Sequence, residues 1–520
     1  MTVKHFLALD LGTSGIKAAF FDSVGRPAGE ASEEYGLLGD SERVECDVST
    51  YWECLKVAVH KANALRLERG SGGEVAGISI SCQGETFVCL DADLRPLRPA
   101  IVWLDNRAVA EAEELGSIFS PDEIYAHSGQ VECVATWTAS KLLWLRRHEP
   151  LTFASTRKFL LLEDWLVYRL TGALVGEHSL YPTSLLMDIR TLEWWPEMLS
   201  ALQLDPGRLP ELVPSGTVVG GLAEAAASEL GLATGTPVIT GGLDQVLATM
   251  AGGNLGPGTV TELTGTLLAL AASVTEVPAR EHMLPLYLHV VSGLYCVLPY
   301  GQTGGVMLRW VRDNCYGLPG PGTGHPTYEQ MTEEATQVEP GAGGVVCLPH
   351  LAGAYYPEFD MACRGVIAGL RVGHSRAHIV RAVLEAIGYM LNRCVAGMRA
   401  AGIAVNEITS LGPASGSRTW RQIKADICEL PVYRITYDEA SLLGAGMVAA
   451  VATDQFSSLA EAAGAMATRI DPVVPNLDFH AVYEQRMVEY ALLYSRLRSH
   501  FNSSVYAELS QRAGAVGGTA

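Results

Sequence analysis

Positive charge is scarce in this chain of 520 residues, in which 37 lysines and arginines face 57 aspartates and glutamates, for a formal net charge of −20. A surface of this sign repels phosphate backbones and anionic lipids, so neither nucleic acid nor a membrane surface is expected as the main partner. The 11 cysteines include no C-x-x-C pair. We therefore expect reduced thiols and a cytoplasmic protein.

Long apolar runs are also missing. The window 263–274 is much shorter than the roughly 20 residues that a membrane-spanning helix needs, and the longer stretch 284–300 is interrupted by Pro285 and Pro299. The first residues run into only a short apolar stretch before Asp10, which predicts no signal peptide.

Several familiar catalytic patterns are absent. The glycine turn after Asp10 is not followed by the G-K-[S/T] of a Walker A loop, and the S-x-x-K match at Ser14–Lys17 has no S-D-N or K-T-G partner. His148 and Glu149 lack the rest of a zincin helix. Without a G-x-S-x-G elbow, an α/β hydrolase has no support from the sequence either.

What is present is a globular composition, with 48% hydrophobic and 18% charged residues, in a chain long enough for at least two domains. The pattern at the start predicts a strand at Phe6–Leu11, a turn at Gly12–Gly15 and a strand at Ile16–Phe21. Helical and short apolar segments alternate after it, which indicates an α/β protein.

A second strand–turn–strand pattern resembles the first. Thr259–Leu263 and Leu267–Val274 flank the turn Thr264–Thr266, and the glycine-rich segment 251–258 before them is the best candidate hinge. We predict domains at 1–253 and 254–475, followed by a helical extension at 476–520 whose end, 514–520, is frayed. Chance similarity between two hairpins is the alternative to duplication.

Helix caps can also be predicted. Thr50 and Glu53 form a capping-box pattern at the start of an amphipathic helix, and Ser375 is an expected N-cap for a long helix with an apolar stripe that ends near Gly402. A strand at Ile408–Leu411 leads through the loop Gly412–Ser417 into a further helix.

The first candidate site is the strand-end acid Asp10 with the turn that follows. Its carboxylate suits a hydrated Mg²⁺, and the backbone amides and hydroxyls of Gly12, Thr13 and Ser14 suit phosphate oxygens. Lys17 adds a cation within reach. The competing interpretation is an ordinary hairpin with polar turn residues.

The second candidate is Asp244, which follows an apolar strand and the glycine pair Gly241 and Gly242. With little side-chain bulk beside it, the carboxylate could accept a proton from a substrate hydroxyl. Alternatively, Asp244 only caps the helix that runs through Met250.

A third group of polar residues suits a ligand with many hydroxyls. Gln83 and Glu85 follow a buried strand, and Trp103 offers an indole face for a carbon backbone. The alternatives are core packing for Trp103 and a surface ion pair between Asp105 and Arg107.

Over roughly residues 4 to 455, these segments resemble the FGGY carbohydrate kinases. Gly365–Leu370, a seven-residue spacer and His378–Glu385 are similar to the C-terminal signature of that family. Lys141–His148 is similar to the N-terminal signature, although Thr136 departs from its usual first residue. The segments 97–103 and 348–353 also match the family.

The resemblance implies two actin-like (ribonuclease H-like) ATPase domains with an active-site cleft between them, and ATP and Mg²⁺ as cofactors. Asp10 matches the metal-associated acid, and Asp244 matches the catalytic base. The family's remaining site positions fall on a larger set: Gly12, Thr13, Ser14 and Lys17 at the first phosphate loop, Gly265 and Thr266 at the second, Gly412 and Ser415 at the adenine side, and Gln83, Glu85, Trp103, Asp244 and Gln245 at the sugar or polyol.

Two positions depart from the family pattern. Pro413 and Ala414 interrupt the usual glycine-rich adenine loop, which leaves the phosphate donor open. Gly84 stands where glycerol kinases have arginine and xylulokinases have methionine, and it leaves room for an acceptor larger than glycerol.

The expected reaction is γ-phosphoryl transfer to a small sugar or polyol, foremost a ketopentose such as xylulose. A glycerol- or erythritol-type polyol kinase is the first alternative. A catalytically weak regulator that binds the same ligands is the second. The oligomeric state is open, with a homodimer as one option.

Overall fold

The computed structural model describes residues 3–40, 42–317 and 324–503. The frayed tail expected at 514–520 lies outside these residues. The strands are β1 (Lys4–Leu11), β2 (Gly15–Phe21), β3 (Pro27–Glu34), β4 (Leu38–Gly39), β5 (Val44–Cys46), β6 (Glu74–Cys82), β7 (Phe87–Leu90), β8 (Ala100–Ile101), β9 (Lys158–Leu161), β10 (Val175–Glu177), β11 (Met187–Asp188), β12 (Glu193–Trp194), β13 (Glu211–Val213), β14 (Val218–Gly221), β15 (Pro237–Leu243), β16 (Gly258–Thr264), β17 (Leu268–Val274), β18 (Leu286–Leu288), β19 (Tyr295–Val297), β20 (Tyr300–Gly301), β21 (Val346–Leu348), β22 (Val366–Ala368), β23 (Val405–Leu411), β24 (Val432–Ile435) and β25 (Arg469–Val473).

The helices connect these strands in the alternating order that the sequence predicts. They are α1 (Val48–Glu68), α2 (Val109–Ile118), α3 (Pro121–Ser128), α4 (Thr138–His148), α5 (Pro150–Ser155), α6 (Leu162–Thr171), α7 (Pro196–Leu202), α8 (Glu224–Leu230), α9 (Asp244–Ala251), α10 (Gly305–Cys315), α11 (Tyr328–Ala335), α12 (Arg376–Ala400), α13 (Arg418–Cys428), α14 (Ala440–Ala452), α15 (Leu459–Met466) and α16 (His480–Phe501). The fold is α/β, as expected.

The chain forms two compact units, and neither is continuous in sequence. The first combines 1–256 with 273–297 and 439–468, and the second combines 257–272 with 298–438 and 469–520. Helix α14 therefore packs in the first unit, against β1, β6 and α9, although it lies late in the chain.

The main sheet of the first unit has the strand order β14-β15-β6-β1-β2-β3. Strands β15, β6 and β1 run parallel, whereas β2 pairs antiparallel with β1. Seven of the eight residues of β1 are buried, which is typical of a central strand covered on both faces. The smaller sheet β4-β5-β8-β7-β9 carries the segment that leads to Trp103.

The second unit repeats this arrangement. Its sheet contains the order β17-β16-β23-β24-β25, in which β16, β23 and β24 run parallel and β17 pairs antiparallel with β16. Each unit thus begins with an antiparallel hairpin, followed by parallel strands on one side of it. The two hairpins predicted from the sequence are β1–β2 and β16–β17, and both form.

The helix caps were predicted with mixed success. Ser375 is the N-cap of α12, as expected, and Gly402 follows its end. The capping box at Thr50 and Glu53 was wrong, because the helix begins three residues earlier. Its N-cap is Asp47, whose carboxylate accepts from the Ser49 amide at 3.0 Å.

All 11 cysteines are free thiols. In the portion of the chain that the structure describes, no helix has both the length and the apolar character required to cross a bilayer.

Candidate active site

The carboxyl ends of three neighbouring parallel strands bring the first-unit candidates together. In the register of β1, β6 and β15, Asp10 lies opposite Ser81, and Ser81 lies opposite Gly242. Gln83 follows β6 directly, and Asp244 follows β15 directly. Residues beyond the carboxyl ends of parallel strands are the usual ligand-binding positions of α/β sheets.

Asp10 is the acid at the end of β1, and it is 8% exposed. Burial raises the pKa of its carboxyl, while the Ser81 hydroxyl, which donates to Oδ1 at 2.6 Å, and the charge of Lys17 lower it. Lys17 itself donates to Glu439 at 2.5 Å. The ammonium that the sequence offered to a phosphate is therefore engaged by a carboxylate just before α14.

The turn after Asp10 is a tight hairpin. The Gly12 amide donates to the Gly15 carbonyl at 3.0 Å, and the Tyr35 hydroxyl donates to the Gly12 carbonyl. Thr13 is partly exposed and Ser14 is exposed. The indole Nε1–H of Trp103 donates to Thr13 Oγ1 at 2.9 Å, which leaves the Thr13 hydroxyl proton available for another acceptor.

Gln83 and Glu85 lie in the loop after β6. Gln83 is 5% exposed, and among the described residues neither polar atom of its amide has a partner in hydrogen-bonding geometry. The amide of Gln83 is therefore available to hydrogen-bond a polar ligand. Glu85 has φ +58 and burial raises its pKa. A Cβ on Gly84 would lie 3.2 Å from Leu243 Cδ1, so the space beside this glycine is bounded by the end of β15.

Lys141 fixes the backbone of this region, and reasoning from the residues alone assigned it no role. Its buried ammonium donates to the carbonyl oxygens of Glu85 at 3.3 Å and Val102 at 3.1 Å. Desolvation lowers its pKa to about 8. The loop of Glu85 and the segment of Trp103 are thereby tied to one side chain of α4. The sequence feature that could have identified Lys141 as a structural residue is its position as a single lysine among the apolar residues of this helix.

Asp244 is the first residue of α9, and its Oδ1 accepts from the Gln245 amide at 2.6 Å. Leu243 is the N-cap, so the aspartate does not occupy the capping position. Burial, reinforced by the charges of Asp10 and Glu85, raises the pKa of Asp244 to about 7. A carboxyl with a pKa near the working pH can both accept and release a proton, which suits general-base chemistry.

The donor set at Asp10 fits Mg²⁺ held largely by water and phosphates. Within the described residues, no group of three or more histidine, cysteine, aspartate or glutamate side chains could hold a metal ion. Mg²⁺ in phosphoryl-transfer sites typically uses one or two protein carboxylates and keeps its other positions for water and substrate. Asp10 supplies one such carboxylate.

In the second unit, Gly265 and Thr266 form the turn between β16 and β17. The amides of Gly305 and Gly304 at the start of α10 donate to the Gly265 carbonyl at 2.7 Å and the Thr266 carbonyl at 2.8 Å. A Cβ on Gly304 would lie 2.3 Å from the Leu267 carbonyl oxygen, so the close approach requires glycine there.

Gly412 and Ser415 belong to the loop after β23. Gly412 has φ +73, and residues Pro413–Gly416 form a 3₁₀ turn in which the Ser415 amide donates to the Gly412 carbonyl at 3.0 Å. Pro413 occupies the first position of this turn, where its missing N–H costs nothing. The departure from a glycine-rich loop is therefore compatible with an ordered turn.

A buried ion pair joins the bases of these two loops within the second unit. Lys424 donates to Glu262 at 2.5 Å and to Thr264 at 2.9 Å, and both charged side chains are 0% exposed. The Ser410 hydroxyl donates to the same carboxylate. Thr264 directly precedes Gly265, and Ser410 lies two residues before Gly412. The Lys424–Glu262 ion pair therefore anchors the starts of both loops. No local pattern links positions 162 residues apart.

The buried acids of the first unit predict a pH-dependent stability. Burial raises the pKa of Asp164 to about 7 and of Glu177 to about 8, from ordinary values of 3.8 and 4.5. The folded state retains these protons at pH values where the unfolded chain has lost them, so the free energy of unfolding falls as pH rises from roughly 4 to 8.

Thermal melting followed by circular dichroism should therefore give a lower Tm at about pH 8 than at about pH 6. Equal values would contradict these shifts, and Glu177→Gln should flatten the slope.

Comparison with known proteins gives a consistent picture. The family model described as "FGGY family of carbohydrate kinases, N-terminal domain" matches residues 5–251, and the corresponding C-terminal domain matches 268–453. The chain is 28% identical to a xylulose kinase of Staphylococcus epidermidis over 501 residues, which cover 96% of this chain and 98% of that protein. It is 25% identical to a gluconokinase of Bacillus subtilis, covering 88% and 89% of the two chains. It is 30% identical to a glycerol kinase of Aromatoleum aromaticum, covering 89% and 92%.

Solved structures share the fold. A ligand-bound xylulose kinase from Lactobacillus acidophilus superposes with a TM-score of 0.87 at 22% identity, covering 97% of this chain and all of that one. A Plasmodium falciparum glycerol kinase with ADP gives a TM-score of 0.83 at 20% identity, covering 95% and 98%. At these identities, the likeness establishes the two-domain actin-like fold.

Proposed function

Since this chain belongs to the FGGY family of carbohydrate kinases, we propose that it transfers the γ-phosphoryl group of ATP to a hydroxyl of a ketopentose such as xylulose. It is an ATP-dependent phosphotransferase with an alcohol acceptor. The observation that carries the acceptor assignment is the strand-end group of Asp244, Glu85 and the unpaired amide of Gln83. The cysteines of the protein are free thiols, which suit a reducing compartment. Because the cytoplasm is such a compartment and also supplies ATP, we propose that the enzyme is cytoplasmic.

Asp244 is the proposed base. Its carboxylate orients the attacking hydroxyl and accepts the proton as the O–P bond forms. A pKa of about 7 keeps a large fraction ionised at neutral pH. Gln83, Glu85 and Gln245 hold the other hydroxyls of the acceptor, and Trp103 covers its carbon backbone.

The nucleotide contacts are shared by the glycine turns. Gly12, Thr13 and Ser14 bind phosphate oxygens in the first unit, where the ammonium of Lys17 is paired with Glu439. Gly265, Thr266, Gly412 and Ser415 are the proposed nucleotide-binding residues of the second unit. Mg²⁺, when bound near Asp10, neutralises phosphate charge that would otherwise repel the acceptor oxygen.

The charges at the sheet edge favour a neutral acceptor. Asp10, Glu85 and Asp244 are all acidic, and the charges of the first two help to raise the pKa of Asp244. The cations nearest to them are engaged, since Lys141 donates to two carbonyls and Lys17 to Glu439. A carboxylate substrate such as gluconate would meet repulsion without a compensating cation, which disfavours the specificity of the gluconokinase relative.

A polyol acceptor is the second candidate. Glu85 and Trp103 resemble the substrate positions of glycerol kinases, and a glycerol kinase is among the relatives. A Cβ built on Gly84 would lie 3.2 Å from Leu243 Cδ1 and 3.5 Å from Thr183 Oγ1, so the structure shows no free space beside this glycine, and Gly84 alone does not decide the length of the acceptor.

A coupled assay of ADP release tests the substrate. We expect kcat/KM for D-xylulose to exceed that for glycerol, and that for D-gluconate to be at background. A higher kcat/KM for glycerol or erythritol would replace the ketopentose assignment with a polyol. Activity on gluconate would contradict the charge argument, and stabilisation by ligands without any turnover would indicate a binding regulator.

A second prediction concerns the contact between Trp103 and Thr13. Trp103→Phe keeps an aromatic face but loses the indole N–H, so kcat should fall by about 10-fold, the upper range for one hydrogen bond, with a small change in acceptor KM. Trp103→Ala should mainly raise the acceptor KM. Thr13→Val also removes the hydroxyl proposed to bind phosphate, but Trp103→Phe should add little in the Thr13→Val background, because the contact is already absent there. Fully additive losses would show that the contact has no role in catalysis.

A further inference from the structure

The strand that leads to Asp244 breaks its pairing just before it ends. The register between β15 and β6 shifts between Ile239 and Gly242. At this shift and directly after it, two backbone amides of β15 donate to side chains. These are the amides of Gly241 and Leu243, three and one residues before Asp244.

The first of these acceptors is Glu163 on α6. Its Oε1 accepts from the Gly241 amide at 2.9 Å, and the residue is 1% exposed. Burial of this polar side chain costs free energy, which the hydrogen bond to the Gly241 amide partly offsets.

The second acceptor is a pair, Ser179 and Glu177. Ser179 Oγ accepts from the Leu243 amide at 2.9 Å and donates its proton to Glu177 Oε2 at 2.5 Å. The Ser179 amide donates to the same oxygen at 2.9 Å. Because the hydroxyl proton of Ser179 points to Glu177, a lone pair of Ser179 Oγ faces the Leu243 amide.

Close packing surrounds the strand end. A Cβ on Gly241 would lie 1.6 Å from the Ile80 carbonyl oxygen, and a Cβ on Gly242 would lie 2.7 Å from Ser179 Oγ. The backbone passes so near its neighbours that only glycine fits, and the two side-chain acceptors occupy the remaining sides.

We propose that Glu163 and the Ser179–Glu177 pair are positioning residues, which set the location of the Asp244 carboxylate by holding the amides of Gly241 and Leu243. They touch no substrate and act only through the backbone. The proposal rests on the proposed function of Asp244. Because a misplacement of about 1 Å can cost roughly 100-fold in rate, loss of one anchor should lower kcat.

The kinetic test compares Ser179→Ala with a matched control. Ser179→Ala should lower kcat by about 10- to 100-fold and leave the KM for ATP and for the acceptor within about 3-fold. Ser179→Thr, which keeps the hydroxyl, should recover most of the loss. The control is Tyr181→Phe, which removes a hydrogen bond to Asp164 in the same buried acidic region and leaves both acceptors of the Gly241 and Leu243 amides in place. It should lower stability and spare kcat.

Glu163 provides an independent pair of variants if the serine variants fail to fold. Glu163→Gln keeps an acceptor oxygen for the Gly241 amide, whereas Glu163→Met removes it. The methionine variant should lose clearly more kcat than the glutamine variant. Equal losses in the two, or serine variants that change kcat no more than Tyr181→Phe, would overturn the proposal.

A measurement without turnover separates this proposal from the assigned reaction. Hydrogen exchange of the segment 239–247, followed by mass spectrometry, should be faster in Ser179→Ala than in the wild type and unaltered in Tyr181→Phe. Unchanged exchange would refute the anchoring even if the enzyme is a kinase. Faster exchange in a protein without kinase activity would confirm the anchoring and refute the proposed function alone.

Discussion

Asp244→Asn is expected to lower kcat by about 10²- to 10⁴-fold, the usual contribution of a general base. The amide cannot accept the hydroxyl proton, but its oxygen can still accept from the Gln245 amide, so the start of α9 should persist. Calorimetry with ATP and circular dichroism should show nucleotide binding and secondary structure close to the wild type. The loss should therefore appear in kcat and not in the KM for ATP.

Asp188→Asn is the matched control for this variant. Asp188 is also a buried aspartate of the first unit, but its partners are Arg190 and His127 rather than the residues at the strand ends. Ion pairing holds its pKa at about 2, so its neutralisation should lower stability. An Asp244→Asn enzyme that retains activity comparable to Asp188→Asn would refute the base assignment.

Asp10→Asn should produce the second large loss, of at least about 100-fold in kcat, together with a higher Mg²⁺ concentration for half-maximal rate. The variant removes the one carboxylate at the end of β1 and with it the negative charge that attracts the ion. It should also lower the pKa of Asp244, because the Asp10 charge is one of the causes that raise it to about 7. The acidic limb of the kcat–pH profile should then move to lower pH.

Ser81→Ala separates the charge of Asp10 from its orientation. It removes the 2.6 Å hydrogen bond to Asp10 but keeps the carboxylate, so it should cost far less than Asp10→Asn and leave the Mg²⁺ dependence in place. If Asp10→Asn behaved like Ser81→Ala, the metal assignment at Asp10 would be wrong.

Local patterns were sufficient to predict the two hairpins and the strand-end acids. The alternation of apolar strand and glycine turn around Asp10 is a short-range signal, and the pattern around Gly265 repeats it. The same holds for the N-cap Ser375, where one polar residue precedes a long stripe. At the start of α1, Asp47 and Thr50 are both good caps three residues apart, so the sequence does not decide between them.

The supporting contacts could not be predicted, because they join residues that are distant in sequence. Lys17 meets Glu439 only because the segment 439–468 packs in the first unit. Lys141 and Lys424 are each the one lysine of a helix that also carries arginines, and nothing local identifies the oxygens they reach. The polar positions Ser79 and Ser81 in the buried strand β6 were a visible period-2 signal for the partner of Asp10.

The most direct measurement of the central claim is ³¹P NMR of the wild-type enzyme incubated with ATP, Mg²⁺ and D-xylulose. We predict that the ATP resonances are replaced by those of ADP and by one phosphate monoester signal of equal intensity. Its splitting by neighbouring protons distinguishes phosphorylation of a primary carbon, which gives a triplet, from that of a secondary carbon, which gives a doublet. ADP accompanied by inorganic phosphate alone, or unchanged ATP beside ligand-bound protein, would contradict the account.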